Sequence, residues 1–103
     1  MYVKDKLLAI EKYLKELFPG CVIENMWDSK SGRYTFRVDA PTGENKHTIG
    51  FSSEFVSDNK REDIVTCLKI DNLRGYLEIF GNQEVFVTND GINPHGIRPS
   101  VIK

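Results

Sequence analysis

Four residues of this chain belong to the types that most often act as nucleophiles, proton carriers or metal ligands: Cys21, His47, Cys67 and His95. A catalytic thiol needs a nearby histidine and an accessible position, and neither cysteine lies in a glycine-framed turn that would expose it. The four residues also lack the Cys-x-x-Cys or His-x-x-x-His spacing of paired metal ligands. We therefore expect two free thiols buried in the core, no metal and no cofactor.

His47 falls on the inward side of a predicted strand, opposite Val38. The simplest interpretation is a structural histidine with one ring nitrogen hydrogen-bonded. The alternatives are a pH-sensitive group or the centre of a small-ligand or enzyme site. Such a site requires a pocket between the first helix and the sheet that the large aromatic side chains leave unfilled. His95 lies between Pro94 and Gly96, and we expect an exposed loop residue there.

The carboxylates make no stronger case for catalysis. Glu62 and Asp63 are adjacent, so on a helix they do not face each other, and they suit the first turn of a helix. Asn89, Asp90 and Gly91 follow a predicted strand and are typical of a turn. Since the sequence also has no glycine-rich phosphate loop and no parallel β-α repeat, we predict that the protein is not an enzyme.

Basic side chains support a second hypothesis, weak binding of RNA or DNA. The candidate contacts are Lys30, Arg33, Arg37, Lys46, Lys60 and Arg61. Arg33 and Arg37 fall on the outward side of a predicted strand, where they would form a basic face. However, the predicted register places Glu24, Asp28 and Asp39 among them, which favours a solvated, cross-paired face over a phosphate-binding one.

The composition is that of an ordinary globular domain. The chain has 103 residues, of which 40% are hydrophobic and 28% charged, with a net charge of -1. This length suffices for one domain with a real core. The charges are evenly spread, so no basic half or tail indicates nucleic acid or an anionic membrane. No segment is apolar enough for a signal peptide or a membrane span, and we expect a cytoplasmic protein without a membrane partner.

The best-defined element is the segment 33–40, in which apolar and polar side chains alternate. Tyr34, Phe36 and Val38 fall on one side, and Arg33 and Arg37 fall on the other. This alternation predicts a half-buried strand. Two further strands, 21–28 and 46–51, flank it across short turns at 29–32 and 41–44, so an antiparallel meander is expected.

The side-chain pattern also predicts the register of the meander. Pairing Asp28 with Arg33 sets Trp27 against Tyr34, Ile23 against Val38, and Glu24 against Arg37. Pairing Ala40 with Asn45 sets Phe36 against Ile49, Tyr34 against Phe51, and Asp39 against Lys46. A shift of one residue in either hairpin would turn its apolar set towards water.

An amphipathic helix precedes the meander. Its apolar stripe is made of Val3, Leu7, Ile10, Leu14 and Leu17. Pro19 and Gly20 end the helix, because proline cannot continue the hydrogen-bond ladder and glycine accepts a left-handed conformation. The stripe is too short for a stable coiled coil, so we expect it to pack on the sheet.

The segment 62–70 can be read as a helix or as a strand. Asn59 and Glu62 resemble a helix-capping pair, and Ile64 and Leu68 form an apolar pair at helical spacing. The many β-branched residues favour a strand instead. We favour the helix, followed by a second short helix that Asp71 or Asn72 caps and Gly81 ends; its apolar face is Leu73, Tyr76, Leu77 and Phe80.

A short strand at 84–88 completes the predicted sheet. The element order is thus α-β-β-β-α-α-β, an α+β domain over residues 1–91 with helices on one sheet face, followed by an extended or mobile tail over 92–103. In element order alone, the chain resembles a double-stranded RNA-binding domain. That resemblance implies phosphate contacts at the start of the second helix, where Lys60 and Arg61 are followed at once by two acids.

The spacing of the apolar residues predicts a complete core. The remaining polar residues form no recognisable catalytic or ligand-binding motif. Our main hypothesis is therefore a small non-enzymatic accessory domain, a monomer or homodimer, that binds another protein through an edge strand or its helical face. The candidate edge strands are 84–88 and 46–51.

Overall fold

The computed structural model describes residues 3–30 and 32–94, which form a small α+β domain. The helices are α1 (Val3–Leu17), α2 (Ser53–Asp58), α3 (Arg61–Ile70) and α4 (Leu73–Phe80). The strands are β1 (Val22–Asp28), β2 (Arg33–Asp39), β3 (Asn45–Ser52), β4 (Glu84–Thr88) and β5 (Gly91–Pro94). The five strands form one sheet in the order β1-β2-β3-β4-β5.

Helix α1 confirms the amphipathic pattern of the sequence. Ile10 and Leu14 are fully buried, and the flanking members of the stripe pack partly against the core. The Phe18 amide donates to the Leu14 carbonyl at 2.9 Å, and the chain then turns through Gly20, whose φ is +88°. Strand β1 follows this turn directly, and α1 packs against β1 and α3.

The predicted register of the meander is confirmed along almost all of its length. Trp27 lies opposite Tyr34, Ile23 opposite Val38, and Phe36 opposite Ile49. The predicted pairings of Asp39 with Lys46 and of Ala40 with Asn45 are wrong, because the register shifts between Val38 and Asp39. The shift places Asp39 opposite Asn45, whose Nδ2 donates to Asp39 Oδ1 at 3.1 Å. A one-residue bulge of this kind is typical next to a turn at the end of a hairpin.

The segment 62–70 is a helix, as favoured by its apolar spacing, and it forms most of α3. The predicted capping of α3 by Asn59 is wrong. Asn59 Nδ2 instead donates to the Phe55 carbonyl at 2.8 Å, at the end of α2, a helix that the sequence analysis did not resolve. The N-cap of α3 is Lys60, which makes no side-chain capping bond.

Helix α4 begins and ends as predicted. Asn72 adopts a left-handed conformation, with φ of 61°, and its side chain accepts a hydrogen bond from the Gly75 amide at 3.3 Å. A Cβ atom at position 75 would overlap the Asn72 side chain, which explains a glycine inside this short helix. Gly81 ends α4. Leu73 and Leu77, on the apolar face of α4, are buried.

Strand β4 lies in the interior of the sheet, parallel to β3, with β5 antiparallel on its other side. The prediction that 84–88 and 46–51 are edge strands is therefore wrong, since both have neighbours on two sides. The outer strands are β1 and β5. Strand β5 includes the first three residues of the predicted tail 92–103, and residues 95–103 lie outside the described part of the chain.

All four helices cover one face of the sheet. The core joins Ile10, Leu14, Ile64, Leu68 and Leu77 from the helices to residues that share one side of the strands. The strand residues of the core are Ile23, Phe36, Val38, Ile49, Phe51, Val85, Val87 and Ile92. We call this side the inner face and the opposite side the outer face. Within residues 3–30 and 32–94, no helix has the length and apolar character needed to cross a membrane.

Candidate binding edge at strand β1

The structure separates the six basic residues of the nucleic-acid hypothesis. Arg33 and Arg37 lie on the outer face, and Lys30 lies in the turn between β1 and β2. Lys60 and Arg61 lie at the start of α3, on the side of the sheet that the helices cover. Lys46 is exposed at the bulge. These side chains thus do not form one continuous basic surface, and nucleic-acid binding stays a prediction from the sequence.

The two arginines of the outer face are engaged within the domain. The Arg33 guanidinium lies over the Phe86 ring, 4.0 Å from its centroid, in a cation–π contact that spans β3. Arg37 Nη2 donates to Asp39 Oδ1 at 3.3 Å. Glu24, although directly opposite Arg37 in the register, forms no ion pair with any described residue. The predicted pairing of Glu24 with Arg37 is therefore present in the register, but the two side chains do not form an ion pair.

His47 lies on the inner face and is almost completely buried. Its Nδ1 is 2.9 Å from the Gly81 carbonyl oxygen, and because a carbonyl only accepts, Nδ1 carries the proton of this bond. The Phe18 ring packs against the imidazole with 4.8 Å between centroids. These contacts are those of a histidine that ties β3 to the end of α4. A ligand or catalytic role for His47 stays a prediction.

The other candidate groups lie apart from one another. Cys21 and Cys67 are free thiols, as expected, but each is partly exposed where we predicted burial. The side chain of Asn89 bridges Asp58, to which it donates at 3.0 Å, and Asn59, from which it accepts at 3.2 Å. These bonds hold the turn after β4 against the end of α2. His95 lies outside the described residues.

Described side chains offer no cluster of three His, Cys, Asp or Glu residues that could hold a metal ion. An open groove of about 400 Å³ runs between α1 and α3 and is lined by Asp5, Leu8, Lys12, Arg61 and Val65, among others. Its lining combines charged side chains of both signs with apolar ones, and no further contact among the described residues supports a small-ligand role for this groove.

Strand β1 combines two features that neither β3 nor β4 has. It pairs with β2 on one side only, so every second backbone N–H and C=O group on its other side faces no described strand. It also carries three exposed large apolar side chains: Val22 and Trp27 keep 50% of their surface accessible, and Met26 keeps 53%. Its free edge is thus both able to pair and apolar.

The three side chains are distributed over both faces of the sheet. Val22 and Met26 lie on the outer face, alternating with Glu24 and Asp28, while Trp27 lies on the inner face. The Trp27 ring packs against the ring of Tyr34 at 4.7 Å between centroids, and half of the Trp27 surface stays accessible. A strand added to β1 would therefore meet apolar surface above and below its backbone.

Sequence reasoning placed Trp27 correctly on the inner face but missed the exposure of β1. One signal was present: Val22 and Met26 occupy outward positions of an alternating strand, where polar residues are the rule. Apolar residues at such positions mark either a second buried face or a contact surface.

Comparisons of the chain with models of protein families, with curated proteins and with solved structures find no match.

Proposed function

We propose that this chain is a small non-enzymatic domain that binds another protein chain by adding an extended segment to the free edge of β1. The observation that carries the proposal is the exposure of Val22, Met26 and Trp27 on an outer strand of the sheet. Soluble domains usually protect such an edge with charges, proline or a covering loop. An apolar edge strand is the arrangement that strand addition uses.

Strand addition divides recognition between backbone and side chains. The backbone groups along the free side of β1 supply hydrogen bonds that are independent of the partner's sequence. Trp27 supplies a large apolar surface on the inner face, and Met26 supplies one on the outer face. Tryptophan is enriched among residues that dominate binding energies, so Trp27 is the expected anchor of the interface.

The helical side of the domain also exposes apolar side chains, at Leu8, Ile70 and Ile79. These residues belong to three different helices, whose backbone hydrogen bonds are satisfied internally. β1 offers apolar side chains and backbone donors and acceptors in the same place. This combination favours the edge strand over the helical face as the binding surface.

The proposal is tested by affinity capture from an extract of the native host, with two matched variants. Met26 and Leu8 are equally exposed, at 53%, so Met26→Ala and Leu8→Ala remove comparable apolar surface from β1 and from the helical side. We expect a stoichiometric partner that Met26→Ala and Trp27→Ala weaken at least tenfold, as measured by titration of the purified pair. Leu8→Ala is expected to leave the affinity unchanged.

Two outcomes would overturn the proposal. One is the opposite sensitivity, in which Leu8→Ala weakens the pair and the β1 variants do not. The other is the recovery of no stoichiometric partner from an extract together with strictly monomeric behaviour of the purified chain.

A further inference from the structure

Strand β1 is complementary to a second copy of itself. We infer that two copies of this chain pair antiparallel through β1, which joins their sheets into one continuous sheet. The inference rests on the proposed function, because it names the partner of the same edge. The argument uses the alternation of side chains along β1, the positions of its charges and the two-fold symmetry that most homodimers have.

A two-fold axis perpendicular to the sheet pairs the two β1 strands antiparallel and keeps the helices of both copies on the same side. Residues directly opposite each other in antiparallel strands share a face. The axis must therefore pass midway between one residue of β1 and the same residue of the second copy. Centred on Asn25, the pairing uses all seven residues of β1.

Charge selects this register over its two neighbours. If the axis passes between the two copies of Glu24, their carboxylates lie opposite each other. If it passes between the two copies of Met26, Glu24 lies opposite Asp28 of the second copy. Like charges directly opposite destabilise a strand pair. The register centred on Asn25 avoids both contacts, since it places Met26 opposite Glu24 and Val22 opposite Asp28.

The same register covers the exposed apolar surface of β1. Trp27 of each copy lies opposite Ile23 of the other, and Ile23 already belongs to the core of its own copy. Accessible surface of Trp27 would therefore be covered while the ring keeps its contact with Tyr34. The outer-face acids keep arginines as their neighbours within each copy, since Glu24 lies opposite Arg37 and Asp28 opposite Arg33 in β2.

The two Asn25 side chains meet at the axis on the inner face. A carboxamide both donates and accepts, so two facing amides can form reciprocal hydrogen bonds. A polar residue on the axis also fixes the register, as a single buried asparagine does in coiled coils. A pair of single strands forms a small interface, so we expect a reversible dimer that dissociates in the micromolar range.

The experiment uses the proposed register, in which Asn25 of one copy lies opposite Asn25 of the other. Asn25→Lys and Asn25→Asp each place like charges together, and we expect each variant alone to dimerise at least tenfold more weakly than the wild type. An equimolar mixture of the two variants is expected to form a one-to-one heterodimer, because lysine then faces aspartate. Asn25 is exposed, so neither substitution should disturb the fold, which circular dichroism would verify. A matched pair at exposed Ile79, Ile79→Lys and Ile79→Asp, should dimerise as the wild type does.

Sedimentation equilibrium between about 1 μM and 1 mM would measure the dissociation constants, a range chosen for weak association. Fluorescence gives a second readout, because Trp27 is the only tryptophan and its emission should shift to the blue as dimer forms. Three results would each overturn the second-copy inference: a monomer throughout this range, a dimer that Asn25→Lys leaves intact, or variants that fail to pair on mixing. If the chain is monomeric but Met26→Ala still weakens a captured partner, the occupant is a different protein and the proposed function stands.

Discussion

Met26 and Phe86 lie in the same transverse row of the outer face, yet they have opposite surroundings. The row runs from Met26 on β1 through Thr35 and Gly50 to Phe86 on β4. Met26 is 53% exposed, whereas Phe86 is 7% exposed although none of the described helices packs on this face. Phe86 lies beside the bare backbone of Gly50 and beneath the Arg33 side chain. Burial on the outer face thus requires neighbouring strands on both sides. Met26 lies on an outer strand and has a neighbouring strand on one side only.

The comparison explains why the apolar residues of β1 and β4 differ in burial despite the similar apolar content of the two strands. On β4 the apolar side chains of Val85, Phe86 and Val87 are all buried, so they contribute to stability. On β1 only Ile23 is buried. An exposed apolar side chain contributes little to the free energy of unfolding, so it can serve as a contact surface without loss of stability. The predictions below test this difference, beginning with the largest effect.

Truncation of the two residues should separate their contributions to the free energy of unfolding. Phe86→Ala removes a buried ring together with its contact to Arg33, and we expect a loss of about 3 kcal/mol. Met26→Ala is a change at an exposed edge, and its cost should stay within about 0.5 kcal/mol. Urea unfolding followed by Trp27 fluorescence, at concentrations where the chain is monomeric, would measure both. Equal costs would refute the view that position in the sheet decides how much each residue contributes to stability.

The sequence predicted elements and pairings that depend on neighbouring residues. The antiparallel register followed from short turns and alternating side chains, and it is confirmed for Trp27 with Tyr34 and Phe36 with Ile49. The errors in the register, at Asp39 and Ala40, both arise from a bulge that shifts the pairing by a single residue. Such an insertion leaves no periodic signal in so short a strand.

The sequence did not predict the pairing of β3 with β4. These strands are parallel and are separated by the whole segment that contains α2, α3 and α4, so no turn encodes their contact. Two signals were nevertheless present. Three consecutive apolar residues, Val85 to Val87, are typical of a strand buried on both faces, and Gly50 inside a strand marks a close approach of another group. The exposed edge at β1 was missed because the edges were assigned to β3 and β4.

We expect the absence of a side chain at Gly50 to allow the burial of the Phe86 ring. A Cβ atom at position 50 would lie 3.0 Å from Phe86 Cδ1 and 3.3 Å from Arg33 Cδ. Because the Phe86 ring is buried and lies under the Arg33 guanidinium, we expect Gly50→Ala to cost about 1 kcal/mol of stability despite the intrinsic advantage of alanine over glycine in a strand. In a Phe86→Ala background the contact is gone, and Gly50→Ala should then be neutral or stabilising. A double-mutant cycle of unfolding free energies would measure this coupling, and additive effects would contradict it.

The smallest predicted effect concerns the charge of Arg33. Its guanidinium lies 4.0 Å from the centroid of the Phe86 ring, at a distance where cation–π contacts contribute about 0.5–1 kcal/mol at exposed sites. Arg33→Met keeps an apolar stem over the ring and removes the charge, so we expect it to lower the unfolding free energy by about that amount. In a Phe86→Leu background, which removes the aromatic face and keeps a large apolar side chain, the same substitution should cost less. If Arg33→Met costs the same in both backgrounds, Arg33 shelters Phe86 through its stem alone. The difference between β4 and the edge at β1 would then be one of packing, without an electrostatic part.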